Sequence, residues 1–232
     1  MFNAPLEDRQ GHSHGTPAEA RRDDVSNDAL NGLTRKKDRA ADRQLLDEVF
    51  DQSLVATLST VVNGQPWVIP TFVVRVDDDL LLHGSTGAGA LRHVANGAPV
   101  VLSAFILDGL VVAERAFDHS ANYRSATVRG TCTAVDDTDD IDVTATLDTF
   151  TDRMLPGRSS ECPPHTDQEL AATFALKLAI RQSNWIAKQR TGPPSSSSAT
   201  QWTGVIPTTT TFLPPISNSS HPVPASVRRL AR

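Results

Sequence analysis

The chain is poor in the residues that announce most specialised classes. It has two cysteines in 232 residues, Cys132 and Cys162. That is too few for a disulfide framework, and a cytoplasmic, reducing setting is the expectation. Long apolar runs are missing, which excludes a helical membrane span. The first ten residues, MFNAPLEDRQ, lack the charged-then-apolar order of a secretory leader. Basic excess is missing as well: 22 Lys and Arg against 27 Asp and Glu give a net charge of −5. Nucleic acid is therefore not an expected partner, although a small anion needs only a few well-placed donors. There is no internal repeat, and no Ser/His/Asp order with a nucleophile elbow. The acidic cluster Asp136, Asp137, Asp139 and Asp140 lacks the glycine and terminal glutamate of a calcium loop, so it reads as a solvated turn ahead of a helix.

Apolar periodicity is absent from both ends. Residues 1–33 read as a disordered arm in which His12 and His14 carry no metal, and 213–232 as a Pro/Ser-rich tail. The packed domain is expected over 34–212, with a flexible loop at 192–200, GPPSSSSAT.

Within that domain, Leu45, Leu46, Val49 and Phe50 lie at helical spacing behind Asp42, predicting a helix over 42–52. The period then changes to two. SLVATLSTVV (53–62) and PWVIPTFVVRV (66–76) flank Asn63-Gly64, the strongest short hairpin signal. LLLHG follows as a third strand, and a short helix closes at Asn96-Gly97. PVVLSAFIL (99–107) and LVVAERAF (110–117) predict a second hairpin around Asp108-Gly109, and 125–135 a sixth strand. Later come a helix over 139–155, with Ile141, Val143, Leu147, Phe150 and Met154 buried, a helix capped by Thr166, a strand over 174–180, and an edge strand over 202–212. Six strands with tight turns and one inserted helix predict a closed antiparallel barrel, mainly β with flanking α.

The stretch LLLHGSTGAGALRHV (80–94) puts small, amide-rich residues between a strand and a helix. It matches neither the dinucleotide nor the triphosphate glycine fingerprint. A helix starting near Gly87 would still aim free N–H groups at the strand end, with Ser85 and Thr86 as hydroxyl donors and Arg92 one turn further on. The alternative is an ordinary connection in which Ser85 or Thr86 caps the helix. A second polar set, Asn122, Tyr123, Arg124 and Ser125, enters a strand. Alternation sends Tyr123 and Ser125 to one face and Asn122 and Arg124 to the other, so one pair could line a pocket for a phosphorylated aromatic ligand.

The segments HGSTGAGALR, DGLVVAERAFDHSANYRSATVRG, RTGPP and WTGVIP, in this order, resemble the pyridoxamine 5'-phosphate oxidase-like, FMN-binding split-barrel superfamily. Within it, the similarity is to the flavin-nucleotide-binding branch that holds the nitroimidazole-resistance proteins, over roughly residues 34–227. The resemblance implies a homodimer of six-stranded antiparallel split barrels, with FMN at the subunit interface and a small-molecule substrate. It implies that His83, Gly84, Ser85, Thr86, Gly87 and Arg92 surround the FMN phosphate and ribityl chain. Pro70 and Thr71 would lie against the ring edge, Asn122, Tyr123, Arg124 and Ser125 would complete the pocket, and Lys188, Arg190 and Trp202 would lie nearby.

The C-terminal HPVPASVRRLAR carries only a superficial echo of the oxidase's substrate-contacting signature, and PWVIPTFVV lacks its basic pair. Pyridoxamine phosphate oxidation is therefore not the expected reaction. The expectation is an FMN-dependent oxidoreductase acting on a small organic acceptor, without an identified catalytic side chain. The alternatives are a flavin-binding module without turnover, and a relative holding a deazaflavin or a haem in the same cleft. For haem, His83, His93 or His119 would be the axial ligand.

Overall fold

Two antiparallel sheets hold all the strands of the computed structural model, which describes residues 36–135, 141–195 and 200–230. Strand β1 (Ala40–Ala41) leads into helix α1 (Arg43–Gln52), capped by Asp42, whose carboxylate accepts from the Leu45 amide at 3.1 Å. Leu45, Leu46, Val49 and Phe50 are its buried stripe, as the spacing predicts. Strands β2 (Val55–Val62) and β3 (Gln65–Phe72) form the expected hairpin. Asn63 and Gly64 both take positive φ, 51° and 77°, in its turn.

Next come β4 (Val74–Val76), β5 (Asp79–Ser85), α2 (Gly89–Ala95), β6 (Pro99–Val112), β7 (Ser120–Thr131) and β8 (Thr133–Ala134). They are followed by α3 (Val143–Met154), α4 (Asp167–Ala171), β9 (Thr173–Ala179), β10 (Trp185–Arg190), β11 (Gly204–Pro207) and α5 (Ala225–Leu230). The larger sheet runs β1-β10-β7-β6-β2-β3, with β11 joined to β6, and the smaller runs β4-β5-β9-β8. The six expected ribbons correspond to the seven segments β2–β8, divided between two sheets; β9 and β11 answer the two later strands expected, while β1 and β10 were not expected. The main core packs Leu58, Leu102 and Val128 of the larger sheet with Leu82 and Leu176 of the smaller one and with the α1 stripe. A second cluster, Val74, Leu81, Val135, Phe150 and Ala175, lies under α3.

Four expectations are corrected. Asp108-Gly109 is not a turn: β6 runs straight through it, with a register shift between Leu107 and Gly109. The glycine has a different purpose. A Cβ there would meet the Ile206 carbonyl at 2.9 Å and Val205 at 3.0 Å, so Gly109 admits β11 alongside β6. Helix α2 begins at Gly89 with no side-chain cap, because the Ser85 hydroxyl accepts from the Gly87 amide instead. Helix α3 begins after Asp142, which caps it by accepting from Ala145 at 2.7 Å; Thr146 and Phe150 are its buried residues, while Ile141, Val143, Leu147 and Met154 are half-buried. The last strand covers only Gly204–Pro207, with Pro207 at its end.

The Pro/Ser-rich tail also contains α5, held by Glu161, which accepts from the Ser226 hydroxyl at 2.7 Å. Residues 1–35, with His12 and His14, and the cluster at 136–140 lie outside the described residues.

Candidate functional site

The strand end, β5, delivers His83, Gly84 and Ser85 to one corner, and the loop to α2 follows. The three glycines there have different reasons to be glycine. A Cβ on Gly84 would run into the Leu91 side chain, so Gly84 lets α2 pack on β5. Gly89 would meet nothing within 4 Å, and Gly87 only the Ser85 hydroxyl at 3.4 Å; neither is among the positive-φ glycines. Among the described residues, no packing or backbone constraint requires glycine at these two positions.

The donors of that loop are partly spent. Gly87 N–H donates to Ser85 Oγ at 3.1 Å, Thr86 N–H to the Ala172 carbonyl at 2.9 Å, and Arg92 Nη2 to the Thr86 carbonyl at 2.9 Å. The expected free amide of Gly87 is therefore occupied. Ser85 and Arg92 remain exposed, and the first-turn amides of α2 have no carbonyl one turn earlier in the helix.

His83 faces the other way. It pairs with Ala175 across the sheet, and its ring stands edge-on to Phe150 with centroids 4.4 Å apart. Burial holds its pKa below the usual histidine value, so the ring is neutral at neutral pH. His93, on α2, donates its Nε2–H to the Val61 carbonyl at 2.9 Å, which docks the helix beside β2.

The second set lies on the larger sheet. Register pairs Pro70 with Thr57, Thr57 with Ser103, Phe105 with Ser125, Ser125 with Lys188, and Leu107 with Tyr123. Directly opposed residues share a face, so Pro70, Tyr123, Ser125 and Lys188 all lie on the outer face. Tyr123 stacks on Phe105 with centroids 5.6 Å apart, and its hydroxyl accepts from Arg39 at 3.4 Å. Val55, Val61, Val68, Phe72 and Leu107 extend this face as exposed apolar surface. Lys188 Nζ reaches the Lys36 carbonyl at 3.1 Å.

Thr71 pairs with buried Ala56 and so lies on the opposite face from Pro70. Asn122 and Arg124 also leave the Tyr123 face, as alternation predicts. Asn122 is buried, accepts from Arg190 and donates to the Gly192 carbonyl at 3.1 Å. Arg124 grips Asp108, which holds its guanidinium pKa above the usual arginine value. Trp202 is 64% exposed and lies over Gly204, where a Cβ would meet its ring at 2.9 Å.

One copy of the chain therefore presents two separate groups, the Ser85–Arg92 corner and the Tyr123 face. Among the described residues, no hydrogen bond joins them. Sequence reading missed Arg153 altogether; it stands at the end of α3 on the wall of a cavity that Arg124 also lines. Nothing in its local sequence separates it from a surface arginine. Among the described residues, no group of His, Cys, Asp and Glu could hold a metal ion, and no helix is long and apolar enough to cross a membrane.

The sequence profile of the pyridoxamine 5'-phosphate oxidase family matches residues 42–185. The chain is similar to a solved structure described as the FAD and heme binding protein from Mycobacterium smegmatis. The two share 40% identity over 83% of this chain and 97% of that one, with a TM-score of 0.77. The flavocytochrome Anf3 from Azotobacter vinelandii is 28% identical over 85% and 94% of the two chains, with a TM-score of 0.76. A 5-nitroimidazole antibiotic resistance protein from Bacteroides thetaiotaomicron, so described provisionally, is 16% identical over 65% and 87%, with a TM-score of 0.52, and shares the fold alone. None of the curated protein sequences matches the chain.

Proposed function

Because the chain belongs to the pyridoxamine 5'-phosphate oxidase family, we propose that it is a flavin-binding redox protein that exchanges electrons with a small organic molecule. The observation that carries this reading is the corner of Gly87 and Gly89. Two glycines without a packing or backbone reason stand beside exposed Ser85 and Arg92, which is what close approach of a phosphate needs. Ser85, Thr86 and Arg92 would hold that phosphate. Pro70, Tyr123, Ser125 and Lys188, on the outer face, would lie toward the ring.

The two groups are separate within one chain, and a homodimer that buries the outer face would bring one copy's corner to the other copy's sheet. The exposed Val68, Phe72, Phe105 and Leu107 support that assembly. The flavin supplies the electron-transfer chemistry, and the protein binds and orients it. FAD is favoured over FMN, because the relative at 40% identity is described as an FAD and heme binding protein.

A haem in addition to the flavin is the second reading, favoured by His119. Its Nδ1 lies 3.1 Å from the Arg115 carbonyl. A carbonyl only accepts, so Nδ1 is the donor, which leaves Nε2 as the nitrogen that would ligate a metal. His93 is committed to Val61, while His83 is neutral but packed under α3.

The test is the absorption spectrum of freshly purified protein, followed by heat release and mass determination of the yellow fraction. Released FAD supports the reading, and a sharp Soret band adds haem. Colourless protein that shows no thermal shift with FAD or FMN overturns it.

A further inference from the structure

The outer face of the larger sheet is apolar at one end and cationic at the other. Val68 and Phe72 of β3 and Val55 of β2 are exposed at the first end. At the second, Lys188 of β10 pairs with Ala40 of β1, and Arg39 comes directly before that strand. Sequence reading did not select Arg39. Its guanidinium donates to the Tyr123 hydroxyl at 3.4 Å and stands 6.0 Å from the centre of the Tyr123 ring. Lys188 Nζ donates to the Lys36 carbonyl at 3.1 Å.

Those partners are neutral. Arg43, Arg75, Arg124 and Arg158 each hold a carboxylate, at 2.7, 2.6, 2.8 and 3.2 Å. Among the described residues, Arg39 and Lys188 have no ion pair, and Asp38, beside Arg39 in the chain, is exposed and joins neither. Both cationic side chains are half-buried, which leaves part of each in solvent. In the order β3-β2-β6-β7-β10, four strand spacings separate Pro70 from Lys188, about 19 Å at about 4.8 Å each. A flavin ring seated over Pro70 ends short of Lys188, and the Tyr123–Lys188 end is left for a second molecule.

We propose that Arg39 and Lys188 recognise the carboxylate of an aromatic acid, the small molecule that shares this face with the flavin. Phe105 and Tyr123, stacked with centroids 5.6 Å apart, offer its ring an aromatic surface. Its carboxylate accepts from the guanidinium and the ammonium. Strand β1 ends the sheet, so the two cations stand at the rim of the face and not under its centre. The acid's part as the second reactant rests on the flavin reading, whereas the anion site itself rests on the two cations without carboxylate partners.

Calorimetry with benzoate and with benzamide, its neutral isostere, tests the site on the intact chain as purified. Wild type, Arg39→Gln and Arg39→Lys are compared, with thermal midpoint and flavin content recorded for each. Wild type should bind benzoate saturably and at least about tenfold more tightly than benzamide, the scale of one charge-assisted contact. Arg39→Gln should lose that preference, Arg39→Lys should keep most of it, and flavin content should be the same in all three. No saturable benzoate binding, equal binding of the two compounds, or an unchanged preference in Arg39→Gln overturns the proposal. Where the protein is yellow, the flavin reading survives that failure. Colourless protein that still prefers benzoate through Arg39 overturns the flavin reading alone. Arg39→Lys, which keeps the charge, separates loss of the contact from loss of the fold.

Discussion

Arg124 lays its guanidinium against the Asp108 carboxylate from the neighbouring strand, with Nη2 and Nε at 2.8 and 3.1 Å from its two oxygens. The pair forms where β6 shifts register, so the bulge that turns Asp108 toward β7 also fixes Arg124. Arg124 is thereby a structural cation and not a free phosphate donor. Arg124→Gln is expected to lower stability by about 1–2 kcal/mol, between an exposed pair and a buried charge-assisted bond, and to leave flavin affinity nearly unchanged. Urea denaturation and a flavin titration measure both. A large loss of flavin at unchanged stability would return Arg124 to the flavin pocket.

The three glycines of the corner separate packing from binding. Gly84→Ala is expected to destabilise the protein by about 1–3 kcal/mol, because the added methyl must displace Leu91. Gly89→Ala has free space and lies at the first residue of α2, so it should leave stability unchanged or raise it by up to about 1 kcal/mol. It should nonetheless weaken flavin binding if the phosphate approaches that backbone. Melting curves with and without added FAD distinguish the two effects.

Arg92 holds the same loop through the Thr86 carbonyl. Its removal is expected to cost about 1.5–3 kcal/mol in flavin binding, the worth of a charge-assisted phosphate contact. Fluorescence titration of apoprotein reads the change directly. An unaltered dissociation constant would place the phosphate elsewhere.

Much of this architecture was legible from local chemistry. Asn63-Gly64 gave the hairpin, Asp42 the start of α1, and Thr166 with Glu169 the capping box of α4. The alternation at 122–125 correctly separated Tyr123 from Arg124. What failed had non-local causes. Asp108-Gly109 has the composition of a turn, yet the glycine serves a strand nearly 100 residues later in the chain, β11, whose Ile206 carbonyl would crowd a side chain there. The cavity beside Arg153 draws its walls from β6, α3, the tail and α5, and no window of sequence contains it. His83 looked like part of the corner because it precedes Gly84, but the pleat turns it toward Phe150.

The two cysteines should behave as opposites. Cys132 is buried, and burial pushes its thiol pKa up to about 12, whereas Cys162 is exposed. The thiolate is the reactive form, so iodoacetamide should label Cys162 in the native protein and Cys132 only after unfolding. The shift also sets a sign for alkaline stability. In the unfolded chain the thiol loses its proton near its ordinary value of 9.0, while the folded state retains it. Between those values the native state binds more protons, so stability falls as pH rises above about 9. Cys132→Ala should flatten that part of a stability-against-pH curve, although it opens a small cavity.

The tail responds to pH in the opposite direction. Glu161 accepts from the Ser226 hydroxyl at 2.7 Å and from its amide at 3.3 Å. The Ser226 hydroxyl is the first cause, and Arg158 a further one, of a carboxyl pKa below the usual glutamate value. A carboxylate whose pKa is lowered on folding contributes its stabilisation above the unfolded value and loses it as pH falls through the folded one. Protonation removes the charge that Ser226 donates to, and α5 should then loosen while the two sheets stay folded. Exchange of residues 225–230, corrected for the intrinsic rate, should be faster below pH 4.5, the usual glutamate value, than at neutral pH, with β6 and β7 unchanged. Glu161→Gln should show the fast exchange at both pH values. Equal protection of α5 in wild type across that range would mean that something other than this carboxylate holds the tail.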